Sequence, residues 1–288
     1  MSRAYEYGVL MKPKVLIAML ALYASSYLGS YGSSGGGCLD FNHFLQGFVA
    51  VFTAVSGANA LNCYLDRDID ALMARTWGRP LARGTITLEG AFAFSTTLLA
   101  GAALISLNMG PIPFLLFIIG AGCYLALYTF LLKRRTSLNV LATAPSVAAP
   151  VWFGWYIGGA PLYPVGLFMG LLVAIWGLLH LWSLAYVYSK DYLRVDVPML
   201  TVVTTDEKAV RYILTTLGLI VSSSFFLGSW SSWFYTICVS LMNVPLLMAG
   251  FRFYKSKSKR AGLWLFKLSA PYIVVVLLSF TLDRVIFA

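Results

Sequence analysis

The chain is poor in charge. Only 11% of its 288 residues are Asp, Glu, Lys or Arg, against about 25% in soluble domains. Acid is the scarcest sign, with 11 Asp and Glu against 21 Lys and Arg. Cysteine is sparse and scattered. Cys38, Cys63, Cys123 and Cys238 form no CxxC pair, and three of them fall within or at the end of apolar stretches. That pattern argues against a disulfide framework or a zinc site. Histidine occurs twice, as His43 and His180. The polar start, Met-Ser-Arg-Ala-Tyr-Glu-Tyr, lacks the pattern of a cleavable signal peptide, so none is expected.

What is abundant is apolar: 59% of residues are hydrophobic and the mean hydropathy is +0.79. Several runs reach the ~18 residues that cross a bilayer as a helix. Nine spans are predicted, at about 14–30, 41–70, 88–107, 113–132, 138–158, 162–188, 209–227, 231–251 and 263–287. They use up most of the length, so residues 1–288 are expected to form one all-α, polytopic membrane domain. A Gly/Ser-rich loop, residues 31–38, is expected after the first span.

Basic residues set the expected orientation. With the N-terminus inside, 20 of the 21 Lys and Arg fall on inner segments, and only Arg284 falls outside. The loops at 31–40, 108–112, 159–161 and 228–230 hold none. An N-in, C-out arrangement in the cell membrane follows. The net charge of +10 then belongs mostly to the cytoplasmic face, where it favours the lipid bilayer's headgroups and anionic substrates over nucleic acid.

Against this background the stretch from Asn59 to Gly84 is anomalous. It holds Asp66, Asp68 and Asp70, with Arg67, Arg75, Arg79 and Arg83 among or after them. Asn59, Asn62, Asp66 and Asp70, continued by Met73, fall on one helical stripe, about 6 Å apart per four residues. Two carboxylates that close repel by roughly 3 kcal/mol at an effective dielectric near 20. Arginines or a divalent metal must offset the repulsion. Asp68 points elsewhere and could pair with Arg67 or a later arginine. Asn and Asp oxygens suit magnesium, which takes one or two carboxylates plus phosphate oxygens, and arginines clamp phosphate in bidentate fashion. The set therefore suits a diphosphate held through magnesium. The plainer reading is a helix end with solvated ion pairs.

A second acidic segment, Lys190 to Leu200, closes span 6. Asp191 is a candidate metal ligand there. Asp196 is five residues on and shares a helix face poorly, and Pro198 disfavours helix at Val197. Spans 2 and 6 run in the same direction, four spans apart, and both end in acids beside bases, a faint internal echo. Lys133, Arg134 and Arg135 read as topology anchors that could also reach a phosphate. His180 lies in an apolar run, where a hydrogen-bonded interior histidine is the ordinary case and a functional role is the alternative.

The string Asn62-Cys-Tyr-Leu-Asp66-Arg67-Asp68-Ile-Asp70, followed by Arg75-Thr76-Trp-Gly-Arg79-Pro80, resembles the first motif of the UbiA superfamily of intramembrane prenyltransferases. It is most similar to the protohaem farnesyltransferase branch, as are Lys12-Pro13, Tyr128-Thr129 with Lys133-Arg134, and His180 with Asp191-Tyr192 and Pro198-Met199-Leu200. These motifs cover about residues 12–203; spans 7–9 match only in general character.

The resemblance implies a nine-span enzyme around a central cavity that opens to the membrane and is capped at the cytoplasmic side. Asn62, Asp66 and Asp70 would be the first Mg2+ cluster and Asp191 the second, with Arg67, Arg75, Arg79 and Lys133 on the diphosphate. Farnesyl diphosphate would be the donor and the vinyl group of haem B the acceptor, with His180 toward the haem. A haem A synthase or terminal-oxidase assembly proteins are the implied partners. Asp196 departs from the branch's usual small or uncharged residue, and its role as a ligand stays open. Two other readings compete: a superfamily member acting on a quinone or lipid precursor, and a non-enzymatic haem or lipid carrier.

Overall fold

A computed structural model describes residues 2–30 and 40–287. The glycine-rich loop expected at 31–38, with Cys38, lies outside the described residues. Among the described residues every regular element is helical. They are α1 (Arg3–Leu10), α2 (Pro13–Gly29), α3 (Phe41–Leu65), α4 (Arg67–Leu72), α5 (Leu88–Asn108) and α6 (Pro111–Leu132). There follow α7 (Ala144–Ile157), α8 (Leu167–Val187), α9 (Ser189–Arg194), α10 (Leu200–Val203), α11 (Asp206–Leu227), α12 (Trp233–Ser256) and α13 (Lys259–Phe287).

Eight helices are long and apolar enough to cross a membrane, and α1 with α2, bent by 56°, makes a ninth if counted as one span. The eight stand at the second to ninth expected spans, and the bent pair stands at the first. The short helix α1 was not expected from its polar sequence. Ser2 caps it, accepting the Tyr5 N–H, and Leu10 is fully buried against Ala60, Cys63 and Ile86.

Local chemistry sets the helix ends. Pro13 opens α2 at the first turn, where its missing N–H costs nothing. Asp40 caps α3 and accepts the Asn42 N–H at 2.8 Å. Thr87 caps α5 through the Gly90 N–H. Asp283, buried near the end of α13, accepts the Ser232 and Tyr235 N–H groups at 2.8 and 3.2 Å and so closes the start of α12.

Packing follows the rules of helices in lipid, where close approach and buried hydroxyls replace hydrophobic exclusion. A Cβ on Gly154 would meet the Tyr23 carbonyl at 2.5 Å, so only glycine lets α7 lie on α2. Ser26 donates to the Val151 carbonyl at 2.6 Å and Thr281 to the Ser25 carbonyl at 2.7 Å, tying α2 to α7 and α13. Large apolar side chains such as Ile17, Phe130 and Leu241 face outward, as expected of a lipid-facing surface.

The basic segments gather at one end of the bundle. Arg134 pairs with Asp68, Lys257 with Glu207, and the Tyr186 hydroxyl donates to the Lys257 carbonyl at 2.6 Å. A cavity of about 770 Å³ runs inward from this end between α2, α3, α6, α7, α8 and α13.

Candidate active site in the cavity

The Asn/Asp ladder stands at the mouth of this cavity. The expected unbroken span 41–70 is in fact two helices. Helix α3 stops at Leu65, Asp66 turns to φ −96° and ψ 4°, and α4 starts afresh. The Asp70 N–H still donates to the Asp66 carbonyl at 2.8 Å, so the four-residue repeat survives the break. Asn62, Asp66, Asp70 and Met73 are all buried on the cavity wall.

Each of the two buried acids of the ladder has its own base. Lys133 Nζ donates to Asp66 Oδ2 at 2.5 Å, and Arg79 pairs with Asp70. Charges this buried are stable only when paired. Asn62 Nδ2 donates to the same Asp66 oxygen at 2.8 Å and to Thr129 Oγ1 at 3.1 Å. The other oxygen, Asp66 Oδ1, is buried with no hydrogen-bond partner. Lys133 is thus more than a topology anchor.

Lys12, whose role was not apparent from sequence, completes the network. It donates to Asn62 Oδ1 at 2.6 Å and to the Tyr124 hydroxyl at 3.2 Å. The bend between α1 and α2 aims it: Lys12 has φ +53°, and Asn59 Nδ2 holds the preceding carbonyl, of Met11, at 3.0 Å. The one sequence signal was a lysine directly before the proline that opens a span. Tyr124 was also missed. Residues Cys123–Leu132 are π-helical, a geometry frequent at functional sites, and the Lys133 N–H reaches back five residues to the Tyr128 carbonyl at 2.8 Å. This presents Tyr124, Tyr128 and Lys133 to one cavity wall.

The loop after α4 folds over the mouth. Arg75 lines the cavity with its guanidinium 5.7 Å from the Tyr188 ring centre, and Arg79 lines it beside Asp70. Glu6 of α1 anchors the loop by accepting two bonds from Arg83 at 2.9 Å each. The Arg75 N–H donates to Asp191 Oδ2 at 3.3 Å, which joins the two acidic segments. Asp191 is buried but stands behind this loop rather than on the cavity wall.

Two expected residues lie elsewhere. Arg67 is exposed, donates to the Tyr64 carbonyl at 2.8 Å and stacks on the Tyr64 ring; the helix break at Asp66 turns it away from the cavity. Asp196 is exposed in a turn at φ +52°, with Val197 non-helical before Pro198 as expected. Asp68 pairs with Arg134, and that hydrogen-bonded ion pair holds its carboxyl down to about 2.

His180 lies on the far wall. Its Nδ1 is 2.8 Å from Ser269 Oγ on α13, and its ring sits between Trp176 and Phe266, at centroid distances of 5.2 and 4.2 Å. The cavity therefore joins a polar mouth to an aromatic and aliphatic interior.

The donor set fits a hard cation. Among the described residues no three His, Cys, Asp or Glu side chains converge on one point, so a closed protein cage is absent. The partnerless Asp66 Oδ1 and the amide and carboxylate oxygens beside it suit magnesium, which completes its shell with substrate phosphate.

Fold and site together define a polytopic membrane protein with a charged mouth and an apolar interior. Residues 22–270 match the UbiA prenyltransferase family, and the chain belongs to that family. It is 36% identical to a protein named protoheme IX farnesyltransferase from Desulforudis audaxviator, over 83% of this chain and 77% of that one. It is 37% identical to protoheme IX farnesyltransferase 1 of Picrophilus torridus, over 78% and 76%. The fold superposes on a UbiA homolog from Archaeoglobus fulgidus, bound to GPP and Mg2+, with a TM-score of 0.73 at 16% identity, covering 95% of this chain and 99% of that one.

Proposed function

We propose that the protein transfers the farnesyl group of farnesyl diphosphate to a vinyl group of haem B, giving hydroxyethylfarnesyl haem, haem O. The observation that carries this is the single cavity, with an anion-binding mouth at one end and the His180 wall at the other. The names of its relatives supply the acceptor.

In this reading the diphosphate enters the mouth from the cytoplasm. Lys12, Arg75, Arg79 and Lys133 bind its oxygens, Asn62, Asp66 and Asp70 would hold Mg2+, and Asp191 holds the arginine loop over them through the Arg75 N–H. When bound, Mg2+ neutralises charge on the departing diphosphate. The binding of magnesium by a UbiA homolog supports that assignment. The basic residues stabilise the same developing charge in a site closed to bulk solvent, where fixed donors act most strongly. Allylic C–O cleavage leaves a farnesyl cation along the apolar walls. The vinyl terminus attacks its C1, and the resulting cation next to the porphyrin takes up water and loses a proton, leaving the hydroxyl. His180 lines the wall against which the haem rests.

The test is to incubate purified protein with Mg2+, farnesyl diphosphate and haem B and to chromatograph the extracted haems. A haem O peak is expected. An unchanged haem B peak, with prenylation of a quinone precursor instead, would overturn the acceptor and keep the chemistry.

A further inference from the structure

Two lysines on the cavity wall take no part in the diphosphate network. Lys267 lies two turns into α13, about 12 Å along the helix. His180 lies two turns from the end of α8, and the His180–Ser269 contact places the two residues at similar depth. Lys14 lies in the first turn of α2. Both line the cavity, both are exposed, and among the described residues neither makes an ion pair. The Lys267 ammonium lies loosely over the Trp264 ring, at 5.9 Å.

The helices that carry them are packed neighbours. The Thr281–Ser25 hydrogen bond fastens α13 to α2 away from the site-bearing end. Toward that end both helices turn residues to the cavity instead. There Ala18 and Ala270, one turn beyond Lys14 and Lys267, keep the walls low. Lys14, Lys267 and His180 thus line one cavity, to which both α2 and α13 contribute.

We propose that Lys14 and Lys267 form a carboxylate-binding subsite that grips the two propionates of the acceptor at this cavity wall. The inference rests on the haem reading above and adds the residues that orient the acceptor. His180 is poorly placed for that task, because its ring is held between two aromatic rings and its Nδ1 is engaged by Ser269. With the propionates held by the lysines, the vinyl-bearing half of the macrocycle stays free to react.

Binding and turnover of haem B and its dimethyl ester, which lacks the two charges, test this. Spectroscopic titration in detergent reads binding independently of turnover. The wild type is expected to bind haem B at least about tenfold tighter than the diester, as for one charge-assisted hydrogen bond. Lys14→Met and Lys267→Met should each erode that preference, and the double variant should abolish it. The KM for farnesyl diphosphate should stay unchanged, and Lys267→Arg should retain the preference. Equal binding of haem B and diester by the wild type, or an undiminished preference in the double variant, would overturn the subsite and mark these lysines as lipid-headgroup contacts. Lysine-dependent haem binding without prenylation would keep the subsite and overturn the transfer reading.

Discussion

The backbone N–H of Arg75 donates to the side chain of Asp191 at 3.3 Å. This bond joins segments 116 residues apart and makes the order of the arginine loop depend on the second acidic segment. Asp191→Ala is therefore expected to loosen the loop as well as remove a carboxylate. Hydrogen exchange over residues 74–84 should speed up in the variant. Unchanged protection there would show that the bond contributes nothing to loop order.

Asp66 is the acid with an oxygen to spare. Asp66→Asn keeps its size and removes its charge. Turnover is expected to fall by about a hundredfold or more, with an unchanged elution profile and helical circular dichroism. Chelating divalent cations should abolish wild-type turnover, and added Mg2+ should restore it. Retention of wild-type turnover by the variant would remove the metal role from this residue.

Lys12 and Arg67 are predicted to behave oppositely. Lys12→Met should raise the KM for farnesyl diphosphate by roughly tenfold, the worth of a charge-assisted hydrogen bond. Arg67→Ala should stay within about twofold of wild type, since surface contacts of this kind contribute little. Steady-state kinetics with varied diphosphate decides both.

The Asp68–Arg134 pair gives a pH signature. Its folded carboxyl titrates near 2, below the ordinary value of 3.8. The stabilisation is thus fully present above pH 4 and is lost as pH falls from about 4 to 2. Both side chains are about half exposed, so the pair contributes no more than about 1 kcal/mol. Asp68→Asn should lower the melting temperature slightly at pH 7, and the difference from wild type should vanish near pH 2.

The spans and the acidic ladder were legible in the sequence because hydropathy and a four-residue repeat are local properties. The pairing of Asp68 with a later arginine was legible as an option, since its place on the helix points it off the stripe. Three features were hidden because they depend on backbone geometry that residue spacing does not encode. The break at Asp66 sends Arg67 outward. The left-handed turn at Lys12 sends its ammonium inward. The π-helical run places Tyr124 and Lys133 on one wall. The contact between Arg75 and Asp191 was hidden for another reason: it is a main-chain bond, and residue type says nothing about it.

That π-helical run also makes the interval from Tyr124 to Lys133 a fixed ruler. Its wider winding already holds one residue more than ordinary α geometry would. A further residue inserted between them would have no such slack to take up, and everything beyond it would rotate by about 100°. Lys133 would swing off Asp66 although no residue of the site had been replaced. This segment should therefore accept exchanges of apolar side chains readily and reject insertions.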